Sequence, residues 1–73
     1  MFLLTYIYSD GTEQTEECPT PIDVYLNLEL AFYGGHATQE ESGWLLEMQA
    51  WCEEASVGDC FDKDDDFRIE RVK

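Results

Sequence analysis

The chain opens with eight mostly apolar residues, and an almost wholly polar segment of similar length follows at residues 12–18. Asp10-Gly11 between them is a favoured two-residue hairpin turn, because such a turn needs positive φ at both central positions. We therefore predict an antiparallel hairpin whose polar strand lies at a sheet edge, where charge discourages pairing with other chains. The acids of this strand, Glu13, Glu16 and Glu17, are expected to present one carboxylate strip. The expected cross-strand partners are Tyr8 with Glu13, Tyr6 with Thr15 and Leu4 with Glu17.

Residues 20–35 carry two conflicting signals. Thr20, Pro21 and Asp23 are typical of a helix start, since they supply an N-cap hydroxyl, a proline in the first turn and an acid at the third position. Gly34-Gly35 is a typical helix stop. Between these ends, however, apolar residues alternate with polar ones as in a strand, at Ile22, Val24, Leu26, Leu28 and Leu30. Because Leu, Glu and Ala dominate the segment, we predict a helix over residues 22–33, with a strand as the alternative.

A second helix is predicted after residue 38. Thr38 and Glu41 match a capping box, and apolar residues then recur within one arc of about 120°, which indicates a core-facing stripe. The stripe consists of Trp44, Leu45, Met48, Trp51, Cys52 and Ala55. Its tryptophans are interpreted as core residues rather than as a ligand site. Three glutamates spaced seven apart border the stripe as an acidic row: Glu40, Glu47 and Glu54.

The last segment, residues 67–72, alternates side chains as a strand does. It follows a short apolar pair, Cys60-Phe61, and an acidic turn over residues 62–66. Its expected place is beside the apolar first strand, which gives the sheet order 2-1-3. The prediction is an α+β fold: a small three-stranded antiparallel sheet, made of the N-terminal hairpin and the C-terminal strand, with two helices packed on one face. Arg68 and Arg71 are expected to neutralise nearby carboxylates.

Length and composition indicate the number of domains and the net charge. With 73 residues and a 44% hydrophobic fraction, residues 1–73 are expected to form a single acidic domain. The chain has 17 Asp and Glu against 4 Lys and Arg, a formal net charge of −13, and its first cation is Lys63. Such a charge repels nucleic-acid phosphates and anionic lipids, which argues against both as direct partners. It attracts basic partners instead.

Two further features bear on the cellular compartment. No run of about 18 apolar residues exists and the first segment lacks a basic flank, which argues against a membrane span and a signal peptide. Cys18, Cys52 and Cys60 are odd in number and contain no CxxC, so three reduced thiols are expected. A cytoplasmic location is predicted, in a bacterium or, for a phage-encoded protein, in its host cell.

Patterns for metal and catalytic sites are incomplete. Asp62, Asp64 and Asp66 match the first ligand positions of a calcium loop. The positions that need glycine and a bidentate glutamate are occupied by Phe67 and Lys73, which leaves at most weak divalent binding. The thiols lack the paired spacing of a zinc site, and no motif marks a nucleophile or a phosphate-binding loop. We therefore expect no enzymatic activity, no cofactor and no metal site.

In size, single-domain form and the absence of Lys and Arg from residues 1–62, the chain resembles the small acidic inhibitor proteins of phages and mobile elements. Some of those proteins block restriction, CRISPR or transcription machinery by mimicking DNA or covering its site. The resemblance implies a non-enzymatic inhibitor of anti-CRISPR, anti-restriction or other DNA-mimic type. Such an inhibitor occupies a positively charged nucleic-acid-binding surface of a partner protein.

Eight residues are the candidates for contact with such a partner. Carboxylates would meet its cations, and tyrosines would supply anchors, since aromatic side chains are common interface hot spots. The candidates are Glu13, Glu16, Glu17, Glu40, Glu47, Glu54, Tyr6 and Tyr8. Two other hypotheses explain the charge: an acidic structural or adaptor domain that binds or shields a basic protein, and adaptation to a saline cytoplasm.

Overall fold

A four-stranded antiparallel sheet with two helices on one face forms the protein, in a computed structural model that describes residues 1–63 and 66–73, without the side chain of Lys63. The elements are β1 (Phe2–Ile7), β2 (Glu13–Cys18), α1 (Pro21–Tyr33), α2 (Ser42–Glu54), β3 (Cys60–Lys63) and β4 (Phe67–Arg71). The strand order is β2-β1-β4-β3. The α+β class is confirmed, and so is the place of the C-terminal strand beside β1.

The prediction of three strands is wrong by one, because β3 forms a second hairpin with β4. Phe61 of β3 lies opposite Ile69, and Asp62 lies opposite Arg68. With four residues and one apolar side chain on the helix side, β3 is too short for a clear alternating pattern, and its pairing with β4 stabilises it. The predicted acidic turn includes residues 64 and 65, which lie outside the described residues.

The N-terminal hairpin forms as predicted, but its register is shifted by one residue. Tyr8 and Thr12 close the loop, with the Thr12 carbonyl accepting from the Tyr8 amide at 2.8 Å. Three residues therefore lie in the loop instead of two. Gly11 takes the positive φ of 88°, and its amide donates to the Tyr8 carbonyl. The observed pairs are Ile7 with Glu13, Tyr6 with Gln14, Thr5 with Thr15, Leu4 with Glu16 and Leu3 with Glu17.

Strand alternation then separates the three hairpin glutamates. Leu4 is buried against the helices, so its partner Glu16 lies on the helix side of the sheet. Glu13 and Glu17 lie on the opposite side. The prediction that these three form one carboxylate strip is therefore wrong, because neighbouring side chains of a strand point to opposite faces.

Helix α1 confirms the helical prediction for residues 22–33. The Asp23 amide donates to the Thr20 hydroxyl at 3.4 Å, and the Thr20 amide donates to the Asp23 carboxylate at 3.1 Å, which completes a capping box. At the other end Gly34 adopts the left-handed conformation, with φ 63°, and its amide donates to the Leu30 carbonyl. Both helix ends are held by hydrogen bonds between residues close in sequence, so the residue types there predict where the helix begins and ends.

The strand-like alternation within α1 comes from two apolar rows on opposite sides of the helix. Residues four apart lie about 40° apart around a helix axis, whereas residues two apart lie about 200° apart. Val24 and Leu28 form the row that is fully buried. Ile22, Leu26 and Leu30, called here the outer row, are 49%, 53% and 63% exposed. Interleaved along the chain, the two rows give a period of two.

Helix α2 and the residue after it bury four members of the predicted stripe: Leu45, Met48, Cys52 and Ala55. Thr38 and Glu41 exchange the expected capping hydrogen bonds, although regular helix starts only at Ser42. The tryptophans are half-buried at the border of the core: the Trp44 ring lies 5.6 Å from that of Phe67, and the Trp51 ring 5.4 Å from that of Phe61. The fully or nearly fully buried core comprises Phe2, Leu4, Cys18, Val24, Leu28, Leu45, Met48, Cys52, Phe67 and Ile69.

The arginines of β4 have different roles. Arg68 lies 3.7 Å from the Glu13 carboxylate across the outward face of the sheet, which confirms its expected neutralising role. Arg71 instead donates to the backbone carbonyls of Ala55 and Lys73 and lies over the Phe2 ring. Among the described side chains Arg71 forms no ion pair with a carboxylate, contrary to the expectation. Because Arg71 lies on the helix side of the sheet, it reaches the end of α2 instead.

Candidate protein-interaction surface

A cleft of about 440 Å³ opens between the hairpin and the C-terminal half of α1. The ends of β1 and β2 form one wall, with Tyr6, Tyr8 and Glu16. Residues 30–32 of α1 form the facing wall, and Asp66 lies at the end next to β4. Three segments that are distant in the sequence therefore meet here, because β1 is an interior strand that contacts α1 and pairs with both β2 and β4.

The two tyrosines are fixed by hydrogen bonds to different walls. The Tyr6 hydroxyl donates to the Asn27 carbonyl of α1 at 3.3 Å, and the Tyr8 hydroxyl donates to the Gln14 side chain of β2 at 2.9 Å. Burial raises the pKa of Tyr6 to about 12, and the negative charge of Glu16 adds to the rise. Tyr6 is therefore protonated at neutral pH and remains a donor.

The α1 wall is apolar and partly exposed. Phe32 is 42% exposed, yet its ring lies 5.7 Å from the Trp44 ring and 5.9 Å from the Phe67 ring, so the core holds it in place. Leu30 next to it belongs both to the cleft and to the outer row of α1. The cleft and the outer row therefore form one connected apolar surface.

The charge in the cleft is of one sign. Glu16 is half-buried at the β2 wall, and Asp66 is exposed at the other end. None of the described residues that line the cleft is Lys or Arg. An apolar wall, two fixed phenol rings and two carboxylates form an arrangement that suits an amphipathic cation.

Of the eight predicted contact residues, the structure brings three together: Tyr6, Tyr8 and Glu16. Glu13 and Glu17 lie on the other side of the sheet, where Glu13 pairs with Arg68. Both hairpin faces thus carry acids, but only one has the aromatic anchors.

The predicted acidic row of α2 does not join this site. Glu47 and Glu54 are exposed on α2, whose tryptophans cover β3 and β4, whereas the cleft lies at the β1–β2 end. Glu40 lies in the turn before α2, so the expectation that it continues the row is wrong. The helix starts two residues too late to include it.

Sequence reasoning did not identify Asp66 or the α1 residues as part of a site. A signal for Leu30 was present in the alternation of residues 22–30, because a surface helix needs one apolar face and this segment has enough apolar residues for two. Phe32 lies four residues after Leu28, so helical spacing places it on the core side of α1. No comparable signal marks Asp66, which reaches the cleft only through tertiary structure.

Within residues 1–63 and 66–73, no group of three or more His, Cys, Asp or Glu side chains is arranged to hold a metal ion. Cys18 and Cys52 are buried and Cys60 is exposed, and none of the three is in a disulfide. Neither α1 nor α2, the helices of the described chain, has the length and apolar character needed to cross a membrane.

No protein-family model, curated protein or solved structure matches this chain at a significant level. Charge distribution and surface geometry are therefore the basis for a functional proposal.

Proposed function

We propose that this protein is a non-enzymatic binding protein that occupies a positively charged nucleic-acid-binding surface of a partner protein and thereby inhibits it. The observation that carries the proposal is the run of 62 residues that contains 13 Asp and Glu and no Lys or Arg. A protein surface built to hold duplex DNA meets about one negative charge per 1.7 Å of helix axis and presents cations accordingly. An anionic domain competes for such a surface.

The state of the carboxylates supports the proposal. Among the described side chains, one ion pair is present, between Arg68 and Glu13, and both partners are about half exposed. An exposed pair of this kind contributes about 0–1 kcal/mol, so it does not commit Glu13 to the domain itself. The other acids of residues 1–62 are thus not neutralised by a described cation, although the carboxylates of four of them accept hydrogen bonds within the domain: Asp10, Asp23, Glu41 and Asp59.

The exposed apolar residues favour binding over solubility as the reason for the charge. Adaptation to a saline cytoplasm explains many acids, but it does not explain an exposed row of Ile22, Leu26 and Leu30 beside a cleft. Charge by itself also gives little specificity, whereas apolar and aromatic anchors near the centre of an interface do. Tyr8, which is 49% exposed, is such an anchor.

The experiment is capture of partners by immobilised protein at low salt, followed by elution with duplex DNA. We expect the captured proteins to be released by DNA, and the recovered partner to lose DNA binding when the free protein is added. Captured proteins that stay bound at saturating DNA would overturn the proposal in favour of an acidic adaptor. A far-ultraviolet spectrum in dilute buffer accompanies it, because collapse of the fold at low salt would instead indicate saline adaptation.

A matched pair of variants shows which surface is used. Glu13, Glu16 and Glu17 are changed to Lys in one variant, and Glu47, Glu53 and Glu54 of α2 in the other. Both variants have the same net charge. We expect the hairpin variant to lose the DNA-released partner and the α2 variant to retain most of it. Equal losses would show that net charge, rather than the hairpin, determines binding.

A further inference from the structure

We infer that the cleft between the hairpin and α1 receives a single arginine side chain from the partner's basic surface. This inference rests on the proposed function, and it adds a defined point of contact to a general attraction between charges. The cleft, of about 440 Å³, lies within the range of about 300–1,000 Å³ that is usual for ligand pockets. It is therefore large enough for one long side chain and the backbone next to it.

The apolar wall fits the stem of an arginine. Arginine and lysine bury their methylene groups along apolar surface while the charged end stays in a polar environment. Leu30, Ala31 and Phe32 line the cleft at the end of α1, and Ala31 lies between the other two side chains around the helix axis. Leu30 and Phe32 are 63% and 42% exposed, and the core holds the Phe32 ring in place. These side chains need little rearrangement to accept a stem.

The opposite wall fits the guanidinium. A cation is attracted to the face of a tyrosine ring within about 6 Å of its centre, and a planar guanidinium also stacks on such rings. The Tyr6 and Tyr8 hydroxyls are already bonded to Asn27 and Gln14, which leaves the rings fixed and their faces as the interaction surface. Preformed rings of this kind reduce the entropy cost of binding.

The carboxylates at the two ends of the cleft favour a positively charged side chain, and they favour arginine over lysine. Glu16 and Asp66 are acceptors, and none of the described lining residues is Lys or Arg to neutralise them. Arginine presents a flat fork of donors that pairs with a carboxylate through two hydrogen bonds, whereas lysine is a point charge. Charge complementarity thus selects a basic side chain, and geometry favours arginine over lysine.

A second copy of the protein is a less suitable occupant. The outer row of α1 is apolar enough for self-association, but two copies that each carry a formal charge of −13 repel one another. The single sign of charge in the cleft adds to this repulsion. A cationic side chain satisfies both the apolar wall and the carboxylates.

The test is an NMR titration with the peptide acetyl-Gly-Ser-Arg-Ser-Gly-amide. Matched peptides carry lysine or citrulline in place of arginine, and citrulline keeps the shape of arginine but removes its charge. We expect the shift changes to be confined to the cleft, at the Tyr6 and Tyr8 rings and the Leu30 methyls. We also expect the arginine peptide to bind about tenfold more tightly than the citrulline peptide. Equal binding of the two, or shift changes centred on Glu47 and Glu54, would overturn the inference.

Charge-neutralising variants locate the contact. Glu16→Gln keeps the size of the side chain and is expected to weaken arginine-peptide binding about tenfold, because a charge-assisted hydrogen bond is lost. Glu47→Gln makes the same change on exposed α2 and should alter binding less than about twofold. Thermal unfolding of both variants shows that they are folded. Equal weakening by the two would contradict a contact in the cleft.

The peptide titration and the partner capture distinguish failure of the arginine site from failure of the proposed function. If the arginine peptide binds in the cleft but no captured protein is released by DNA, the arginine site stands and the proposed function fails. If DNA releases the captured partner while the peptide does not prefer the cleft, the proposed function stands and the arginine site is wrong.

Discussion

The two apolar rows of α1 have opposite environments, although they consist of the same kinds of residue on the same helix. Val24 and Leu28 are fully buried against the sheet and α2, whereas Ile22, Leu26 and Leu30 are about half exposed or more. A domain of this size closes one core, and a helix can present only one side to it. Hydrophobicity thus makes both rows suitable for burial, and the position of the sheet decides which one is buried.

The largest expected difference between the two rows is in the loss of stability when one leucine of each is truncated. Leu28→Ala leaves a cavity in the core and is expected to lower the free energy of unfolding by about 2–5 kcal/mol. Leu26→Ala, on the exposed side, should change it by no more than about 0.5 kcal/mol. Urea denaturation followed by tryptophan fluorescence measures both values. Similar losses for the two variants would mean that the rows are not distinguished by burial.

The three cysteines also differ in burial, and their reaction rates with an alkylating reagent are expected to reflect this difference. Burial raises the pKa of Cys52 to about 11 and also raises the pKa of Cys18, while Cys60 is exposed on β3. Because the thiolate is the reactive form, we expect iodoacetamide at pH 8 to modify Cys60 about a hundredfold faster than the buried pair. Mass spectrometry measures the rates. Cys60→Ser should remove the fast phase, and rapid native-state modification of Cys18 would contradict the buried assignment.

Partner binding is expected to depend on where an exposed leucine lies. Leu30 lies at the junction of the outer row and the cleft, so Leu30→Ala is expected to weaken binding of the DNA-released partner about tenfold. Leu46→Ala is the matched control, because Leu46 is 56% exposed on α2 and lies outside the cleft. Titration calorimetry with the recovered partner measures both. Equal effects would show that exposed leucines contribute without regard to place.

The smallest effect is expected at the hairpin turn, which is exposed like the outer row but is held by polar contacts. Hydrogen bonds from the Thr12 side chain and backbone hold the pKa of the Asp10 carboxyl below its usual range. The charged carboxylate therefore adds stability above the unfolded-state pKa of about 3.9, and this is lost as pH falls through the folded-state value.

An NMR titration of the Asp10 carboxyl tests this turn. Thr12→Val removes the side-chain donor but keeps the backbone donor, so the pKa of Asp10 should rise part of the way to its ordinary value. An unchanged pKa would show that the hydroxyl has no role. Asp23 is not a suitable control, because its carboxylate caps α1.

Local interactions were the predictable part of this fold. The capping pairs Thr20–Asp23 and Thr38–Glu41 are three residues apart, so their residue types reveal the bonds that they form. The stripe of α2 was also readable, since helical spacing identifies one buried face. The hairpin register was not, because Asp10-Gly11 suits both a two-residue and a three-residue loop and the choice shifts every pair by one.

The candidate site was predictable only in part. Tyr6, Tyr8 and Glu16 were identified as contact residues, but their meeting point was not, because the other wall comes from residues 30–32 of a helix that follows both hairpin strands. Glu47 and Glu54 were identified by the same reasoning and lie elsewhere, over the β3–β4 half of the sheet. Residue type indicates the chemistry of a contact, whereas topology decides which contacts share a surface.

The charge, the helix caps and the existence of an N-terminal hairpin could be read from the sequence, because each depends on residue type or on neighbours a few positions away. The helical state of residues 22–33 was favoured by its ends and opposed by the alternation between them. Tertiary structure alone decided the fourth strand, the hairpin register and the side of α1 that is buried. The physical reason is that β3 is stabilised by β4, and that the sheet accepts only one apolar row of α1. The other row is left beside a cleft whose carboxylates have no described cation to neutralise them.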